Sequence, residues 1–364
     1  MGAYLSVVQQ LRDHLSQRKA MFYPKTDIHV SDELLRTLAG RPLINDGIDE
    51  SLALKAVKYA GIAASGCLAI PQQGTYHAIF LVENSTAVPH ILRINRLSSL
   101  YVDWQLYVDL MVARALERAG IDHVDIGLVD CSRKAIPFDF QICGLAEGQS
   151  LIDLDHDDSL IAPAIREVAR HLKLIHQIEG AGFGLIDVSG MVLRNNWNFS
   201  GVHNSWRDYI LLNLPRHMDI CQQAGLISPV EYAKIYGYFA GADWLDDVAP
   251  RLLHGDAGNH NIFIDDGKVV LIDWEDCLLG DPLFDIAYWA TFHPERRWGM
   301  FFNLYFDCEW QPCSRFWLYY LRVALSKSVH RLRFGYVDRP DRPKASLRIQ
   351  RGLAGLRESG GNRI

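Results

Sequence analysis

The sequence predicts an α+β protein with two lobes, a small antiparallel β-rich lobe that carries one helix and a large, mainly helical lobe. Between residues 61 and 143, short runs of β-branched and aromatic residues alternate with turn residues, as in antiparallel strands. From residue 144 onward, apolar residues recur at three- and four-residue spacing, which is typical of helices. We therefore expect a helical extension over 1–60, an N-lobe over 61–143 and a C-lobe over 144–364.

The part of the chain before residue 144 contains three helical and five strand patterns. Turn residues separate the first strands at Gln73-Gly74 and Asn84-Ser85, and Gly120 ends the third helix. The helices are expected at 4–18, 31–38 and 100–119, and the strands at 67–70, 77–82, 90–95, 124–129 and 138–143.

The later part of the chain is helical apart from one hairpin. Asp265-Asp266-Gly267, between short apolar runs at 261–264 and 269–272, is a hairpin signal. The helices are expected at 159–178, 206–223 and 229–239 and then from 283 to about 358.

Composition is that of an ordinary globular protein. The 364 residues are 49% hydrophobic and 22% charged. No apolar run approaches the roughly 18 to 20 residues that span a bilayer, and the start lacks a basic segment followed by an apolar block. The seven cysteines are an odd number without a CxxC pair, which favours reduced thiols over disulfides or a zinc site. We therefore expect a cytoplasmic protein without a membrane partner.

The net charge of −6 is unevenly distributed. Basic residues concentrate from Arg322 onward, where a solvated helix face is a commoner meaning than a nucleic-acid surface, so no nucleic-acid partner is expected. The rest of the chain is correspondingly acidic and would attract a polycation. A monomer and a homodimer are equally compatible with this composition.

The strongest functional signal is HGDAGNHN at 254–261, followed after the hairpin turn by IDWE at 272–275. Phosphoryl transfer needs a carboxylate beside the attacking hydroxyl and oxygen ligands that hold Mg²⁺ against the phosphates. Asp256 can supply the carboxylate and Asn261 an oxygen ligand if the loop between them folds back. Asp273, at the end of the paired strand, can complete the metal site, because Mg²⁺ prefers oxygen ligands.

Taken in order, HGDxxxxN, IDWE and GDPLFD at 280–285 resemble the aminoglycoside phosphotransferase and choline kinase superfamily, whose fold is kinase-like. The segments LRIN at 92–95 and SWRDY at 205–209, with the aromatic residues after Asp285, resemble the hygromycin-B phosphotransferases within it. The resemblance covers roughly residues 64–291.

The resemblance implies a role for each motif residue. Asp256 would be the catalytic base, His254 would brace the catalytic loop through its backbone and ring, and Asn261 and Asp273 would bind Mg²⁺. The N-lobe would bind the nucleotide, and the C-lobe would carry catalysis and substrate binding.

On the nucleotide side, the resemblance implies that Arg93 stands in place of the usual phosphate-binding lysine. Its carboxylate partner on the following helix would be Asp109, with Glu117 as the alternative. Ile142 and Leu145 would sandwich the purine of ATP or GTP, although a buried strand end would have the same sequence. The loop that would cover the phosphates consists of Gly74, Thr75 and Tyr76.

The acceptor is the least determined part of the site. Acidic side chains would meet a cationic acceptor, with Glu275 and Asp276 as the main candidates. The sequence therefore predicts a kinase that transfers the γ-phosphate of ATP or GTP to a hydroxyl of an aminoglycoside-like compound, an antibiotic-resistance activity. A metabolic or biosynthetic kinase acting on an amino alcohol or sugar is the alternative. A nucleotide-binding pseudokinase is a third, because Arg93 and Asp109 depart from the usual pattern.

Overall fold

The computed structural model describes residues 2–40, 47–71, 73–84, 89–98, 100, 103–336 and 344–360. The turn predicted at Ser85 lies outside these ranges. The helices are α1 (Gly2–Lys19), α2 (Pro24–Asp27), α3 (Asp32–Ala39), α4 (Glu50–Tyr59), α5 (Leu106–Ala119), α6 (Leu151–Leu154), α7 (Asp158–Ile175), α8 (Ser189–Arg194), α9 (Trp206–Leu211), α10 (Leu214–Gln223), α11 (Pro229–Ala240), α12 (Pro282–Ala290), α13 (Trp298–Phe306), α14 (Ser314–Phe334) and α15 (Ala345–Ser359). The strands are β1 (Ala64–Ala69), β2 (His77–Asn84), β3 (His90–Asn95), β4 (Ile126–Asp130), β5 (Phe140–Gly144), β6 (Gln149–Ser150), β7 (Phe183–Ile186), β8 (Gly201–His203), β9 (Arg251–Leu253), β10 (Ile262–Asp265), β11 (Lys268–Leu271) and β12 (Leu278–Gly280).

The N-lobe is an antiparallel sheet in the order β1-β2-β3-β5-β4, which confirms the predicted small β-rich lobe. Its apolar core includes Phe80, Leu92 and Phe140, none of them exposed to solvent. Helix α5 connects β3 to β4 and ends at Gly120, whose φ of 67° is the left-handed conformation that glycine adopts without strain. This sheet and helix place Arg93 of β3 and Asp109 of α5 on the side of the C-lobe.

The C-lobe is mainly helical, as predicted, and contains the expected hairpin of β10 and β11. It also contains a four-stranded sheet in the order β8-β7-β12-β9, which was not predicted. Strands of three or four residues are too short to show an alternating pattern, so their segments resemble loops in the sequence. This sheet supports the catalytic loop, because β9 ends at Leu253, directly before the HGD motif.

The helix predicted at 206–223 is two helices, α9 and α10. Asn213 between them has φ 56°, and Pro215 has no N–H to continue a helical ladder. In this turn Asn213 donates a hydrogen bond of 2.8 Å to the carbonyl oxygen of Ala20.

The N-terminal 60 residues pack on both lobes. Leu11 and Phe22 belong to the C-lobe core, and α2 and α3 pack on α14. Helix α4, which was not predicted, is capped by Asp49 and packs on β1 of the N-lobe. The domain boundaries expected from the sequence stay a prediction.

Helix α14 runs through the C-lobe core and is buried along most of its length. The expectation of a solvated basic face is therefore wrong for part of the basic run. Arg322 is fully buried and donates hydrogen bonds of 2.7 Å to the carbonyl oxygens of Ile210 and Leu212. Arg333 is 9% exposed and Arg348 is 6% exposed. These cations hold neighbouring backbone segments in place.

No helix in the described ranges combines the length and the apolar character needed to cross a membrane.

Gly280, at the end of β12, lies against a buried tryptophan. A Cβ there would lie 2.2 Å from Cζ3 of Trp206, whose side chain is 1% exposed and has no room to move. We expect Gly280→Ala to lower the free energy of unfolding by about 1–3 kcal/mol, measured by urea denaturation. The control is Gly237→Ala in the exposed interior of α11, where a Cβ meets nothing within 4 Å. That change should stabilise by about 0.5–1 kcal/mol, and equal effects at both sites would contradict the packing argument.

Because His293 is buried, we expect acid to lower the stability of the folded protein. It is 3% exposed, and its ring stacks on Trp289 with 4.0 Å between centroids. Burial lowers the pKa of His293 to about 3. The unfolded chain binds a proton below about pH 6.5, whereas the folded chain does not until about pH 3, so stability falls as pH drops through this window.

His293→Phe keeps a ring in the stack and removes the titrating group. Between pH 7 and pH 5 the variant should lose about 2 kcal/mol less unfolding free energy than the wild type, measured by urea denaturation at both values. The same loss in both proteins would contradict a buried, neutral His293.

Candidate active site

The catalytic loop that follows β9 is held by one buried carboxylate. Asp285 of α12 accepts hydrogen bonds from the backbone N–H groups of His254, at 2.7 Å, and Gly255, at 2.9 Å. His254 braces the loop from inside: its Nδ1 accepts from the Asp256 backbone N–H at 3.2 Å. Its Nε2 lies 3.1 Å from the carbonyl oxygen of Ile272, which only accepts, so Nε2 carries the proton. Asp285 and His254 therefore stabilise the loop in this conformation.

Two backbone features bring the motif residues together. Gly255 has φ 78°, and a Cβ there would lie 2.3 Å from the carbonyl oxygen of Asp276, so only glycine fits. The loop then folds back, and the side-chain amide of Asn261 donates to the carbonyl oxygen of Asp256 at 3.0 Å. Asp273 has φ 66° and ends the hairpin. Asp256, Asn261 and Asp273 thus lie close together, and their catalytic and metal-binding roles stay a prediction.

Arg93 joins the N-lobe to the cleft at these residues. Its guanidinium donates to Asp109 at 2.6 Å, to Gln141 at 3.0 Å and to Asp273 at 3.0 Å, and it also pairs with Glu275. The predicted pairing of Arg93 with Asp109 is confirmed. The alternative partner Glu117 instead pairs with Arg114 on the exposed face of α5, at 2.9 Å.

Glu275 lies on the N-lobe side of the cleft. It is 7% exposed and contacts Arg93 and His77, the latter at 3.3 Å. Burial raises the pKa of Glu275, and the charges of His77 and Arg93 act against this shift. Burial alone would lower the pKa of His77, but Glu275 and Asp103 outweigh it and raise this pKa. A contact of Glu275 with an acceptor stays a prediction.

Asp256 has a donor on each carboxylate oxygen. The Tyr288 hydroxyl donates to Oδ1 at 2.7 Å, and the Lys25 ammonium donates to Oδ2 at 2.7 Å. Burial alone would raise the pKa of Asp256, but Lys25 outweighs it, so this pKa lies well below its usual range. Asp256 is therefore ionised throughout the physiological range.

Lys25 contacts two further carboxylates. Its Nζ lies 3.1 Å from Oδ2 of Asp276 and 3.4 Å from Oδ2 of Asp273. Burial raises the pKa of Asp276 to about 6, whereas Lys25 and Arg93 outweigh burial at Asp273 and hold its pKa at about 2. The predicted contact of Asp276 with an acceptor stays a prediction, since in this arrangement its visible partner is Lys25.

Hydrogen bonds of the Gln73 side chain stabilise the loop between β1 and β2. The side chain of Gln73 donates to the carbonyl oxygens of Ile70 and Ile79 and accepts from the Ile79 backbone N–H. Within this loop a Cβ on Gly74 would lie 2.9 Å from the carbonyl oxygen of His77. Contacts of Gly74, Thr75 and Tyr76 with a nucleotide stay a prediction.

The two residues predicted to sandwich the purine occupy different environments. Ile142 is 1% exposed and lies in the N-lobe core, with strands on both sides of β5. Leu145, one residue beyond the strand, is 42% exposed. The predicted purine contacts of both residues stay a prediction.

The donor set at the loop and hairpin fits Mg²⁺. Asp273 supplies a carboxylate that is ionised above about pH 2, and Asn261 supplies an amide oxygen. No group of three or more His, Cys, Asp or Glu in the described ranges is arranged to hold a metal ion by itself. Asp273 and Asn261 would therefore hold Mg²⁺ jointly with phosphate oxygens and water.

Lys25, His77 and Tyr288 are among the residues at this site that were not predicted to act there. Tyr288 lies one helical turn after Asp285, which places both side chains on the face of α12 toward the catalytic loop. That spacing is a signal in the sequence. Lys25 lies 231 residues before Asp256, and nothing in the local sequence indicates their contact.

A cavity of about 300 Å³ lies behind the catalytic loop. It is not lined by Asp256, Asp273, Glu275 or Asp276. Its lining includes His176, which also contacts Asp285 at 3.2 Å. The chemistry concentrates at the cleft, so this cavity is not the candidate active site.

Comparisons with known proteins bear on the fold and the family of this chain. No curated protein sequence matches the chain. Among solved structures, a thermostable mutant of the aminoglycoside phosphotransferase APH(4)-Ia has a TM-score of 0.61 at 21% identity, covering 85% of this chain and 99% of its own. APH(2″)-IIa has a TM-score of 0.53 at 16% identity, covering 87% and 97%. A putative aminoglycoside phosphotransferase from Ralstonia eutropha JMP134 has a TM-score of 0.58 at 13% identity, covering 86% and 99%.

These likenesses establish the two-lobed, kinase-like fold. The sequence model of the phosphotransferase enzyme family matches residues 71–307, which is well over half of the chain and includes both the Arg93 strand and the catalytic loop. The chain therefore belongs to the phosphotransferase enzyme family.

Proposed function

We propose that this protein is a small-molecule kinase that transfers the γ-phosphate of ATP or GTP to a hydroxyl group, with Mg²⁺ as its metal. The observation that carries the proposal is the convergence of Asp256, Asn261 and Asp273 on the cleft that Arg93 and Asp109 reach from the N-lobe. These are the parts that phosphoryl transfer needs: a carboxylate for the acceptor, oxygen ligands for the metal and a cation for the phosphates.

Each residue has a distinct task in this proposal. Asp256 accepts a hydrogen bond from the acceptor hydroxyl and orients its oxygen toward the γ-phosphorus. Its low pKa suits a reaction in which the proton moves late, because phosphoryl transfer passes through a loose transition state. Asp285 and His254 keep Asp256 in place. Mg²⁺, when bound, neutralises charge on the phosphates.

Arg93 would exchange partners when the nucleotide binds. In the structure its guanidinium contacts Asp109, Asp273 and Glu275. A planar guanidinium can hold a carboxylate and a phosphate at the same time. Arg93 would keep Asp109 and contact a phosphate oxygen instead of Asp273, which is then free for the metal.

The donor assignment is supported by structures of related fold. APH(4)-Ia has been solved in ternary complexes with ADP and with AMP-PNP, and APH(2″)-IIa with ATP. An adenine nucleotide is therefore the first donor to test, with GTP beside it.

An aminoglycoside-like acceptor is the primary proposal. Hygromycin B is bound in the APH(4)-Ia ternary complexes and streptomycin in that of APH(2″)-IIa. The corresponding activity would inactivate an antibiotic by O-phosphorylation.

A kinase for a sugar, an amino alcohol or a natural-product intermediate is the second candidate. Glu275 and Asp276, the carboxylates predicted to meet a cationic acceptor, already contact Arg93, His77 and Lys25. A polycation gains less in such a pocket than it would beside unpaired carboxylates. A pseudokinase is less consistent with the site, because Asp256, Asn261 and Asp273 are all present.

Asp256→Asn tests the catalytic assignment. It keeps the shape of the side chain but removes the acceptor for the hydroxyl proton, so kcat should fall by about 10²–10⁴-fold while nucleotide binding is retained. The measurement is coupled ADP or GDP release with Mg²⁺ across aminoglycosides, amino alcohols and sugars, beginning with hygromycin B.

The matched control is Asp266→Asn, an exposed hairpin residue with φ 42° that asparagine also adopts. It should turn over like the wild type. Near-normal turnover in Asp256→Asn would contradict the role of Asp256, and silence of the wild type across the whole panel would contradict these acceptor classes.

Asp273→Asn tests the metal site. Asparagine tolerates the positive φ of this position but lacks the charge, so the tightening of ATP binding by Mg²⁺ should fall at least about tenfold. Calorimetric titration of ATP with Mg²⁺ and with EDTA measures this difference, again with Asp266→Asn as control. An unchanged effect of Mg²⁺ would remove Asp273 from the metal site.

A further inference from the structure

The segment that carries Lys25 is a fixed part of the C-lobe. Phe22 is 2% exposed and lies against the rings of Tyr209 and Phe284, at 5.1 and 6.1 Å between centroids. The Tyr209 hydroxyl donates to the Phe22 carbonyl oxygen at 2.5 Å. Thr26, with no exposed surface, lies 3.0 Å from the Ser326 hydroxyl of α14. Withdrawal of this segment would open the C-lobe core to water.

Buried charges on both sides of Lys25 hold the same segment. Asp27 lies 2.8 Å from Nε2 of His217 and accepts from the Phe22 backbone N–H at 2.9 Å. Arg333 donates to the carbonyl oxygens of Thr26, at 2.6 Å, and Ile28, at 3.0 Å. A buried charge that loses its partner is costly, so these contacts hold the backbone on both sides of Lys25 in place.

The ammonium of Lys25 contacts both carboxylates that the proposed reaction would use. Nζ contacts both the proposed base Asp256 and the proposed metal ligand Asp273, at 2.7 and 3.4 Å. A γ-phosphoryl group held by a metal at Asp273 and attacked by a hydroxyl at Asp256 must pass between these two carboxylates. Residue 25 lies outside the family match at 71–307, so this cation is an addition to the matched region.

We propose that Lys25 is a further catalytic residue, whose ammonium contacts the γ-phosphoryl group during transfer. This inference rests on the proposed kinase function. Nucleotide binding brings phosphate oxygens to the ammonium, which exchanges Asp273 for one of them and keeps Asp256 and Asp276. The ammonium then donates to Asp256 and to a phosphate oxygen and keeps its ion pair with Asp276.

The chemical step balances with Lys25 protonated throughout. The acceptor oxygen forms a bond to the γ-phosphorus while the bond from that phosphorus to the β,γ-bridging oxygen breaks. The bridging electron pair leaves with the nucleoside diphosphate, and the acceptor proton passes to Asp256. Lys25 donates hydrogen bonds to an equatorial oxygen, where a fixed cation in a water-poor site stabilises developing charge.

The test is nucleotide binding, which needs no acceptor. Calorimetry with Mg²⁺ compares AMP-PNP, which carries a γ-phosphate, with ADP, which does not. We expect the wild type to bind AMP-PNP at least about tenfold more tightly, because a charge-assisted hydrogen bond is added. Lys25→Met, similar in length but uncharged, should reduce this ratio to less than about threefold and leave ADP binding unchanged.

Three further variants make the result specific. Lys19→Met removes an exposed lysine from the end of α1 and should keep the wild-type ratio. Lys25→Arg keeps the charge and should keep most of the ratio. Lys25→Met combined with Asp276→Asn removes one carboxylate that would otherwise lack its cation, and it repeats the measurement if the single variant folds poorly.

Each contrary outcome identifies what has failed. A ratio in Lys25→Met that equals or exceeds the wild-type value overturns the role of Lys25. If Lys25→Met binds both nucleotides more tightly and turns over faster, the segment that carries Lys25 inhibits the enzyme instead. Equal binding of AMP-PNP and ADP by the wild type also overturns the γ-phosphate contact. A wild type that binds neither these two nucleotides nor GMP-PNP and GDP refutes the proposed kinase function itself.

Discussion

A compact group of buried carboxylates sets the main physical constraint on this protein. Asp109, Asp256, Asp273, Glu275 and Asp276 lie within reach of two cations, Arg93 and Lys25. Several anions removed from water in one place repel one another and lose hydration, so the arrangement is stable only if cations enter it. The fold meets this constraint from two directions: β3 of the N-lobe supplies Arg93 and the N-terminal segment supplies Lys25.

This constraint also explains how distant parts of the chain are held together. Arg93 connects a strand of the N-lobe to the segment after the C-lobe hairpin, and the backbone N–H of Trp274 donates to Asp109 at 2.9 Å. The position of one lobe on the other therefore depends on a few ion pairs, not only on apolar packing. Under the proposed function, a nucleotide with its metal would replace some of these contacts, and binding would then be coupled to the relation between the lobes.

The parts that sequence could predict are those whose determinants are local. The strand at residues 90–95 and the β10–β11 hairpin follow from side-chain pattern and turn residues, and the return of Asn261 to Asp256 follows from a short motif. The pairing of Arg93 with Asp109 was predictable because a family pattern links the strand to the next helix. The contact of Lys25 with Asp256 was not, because tertiary packing of the segment around Phe22 alone creates it.

The same contact changes what the acidic composition means for the acceptor. A surplus of acidic residues suggests attraction of a polycation only if their charge faces the ligand. Here Asp276 has Lys25 beside it, and Glu275 has Arg93 and His77. Much of the negative charge at the cleft is therefore balanced within the protein, and the net charge of −6 does not determine the charge of the acceptor. Under the proposed function, the choice of acceptor would depend instead on how closely its hydroxyl approaches Asp256 between Tyr288 and the Lys25 ammonium. The shape of the acceptor and the position of its hydroxyl would then matter more than its positive charge.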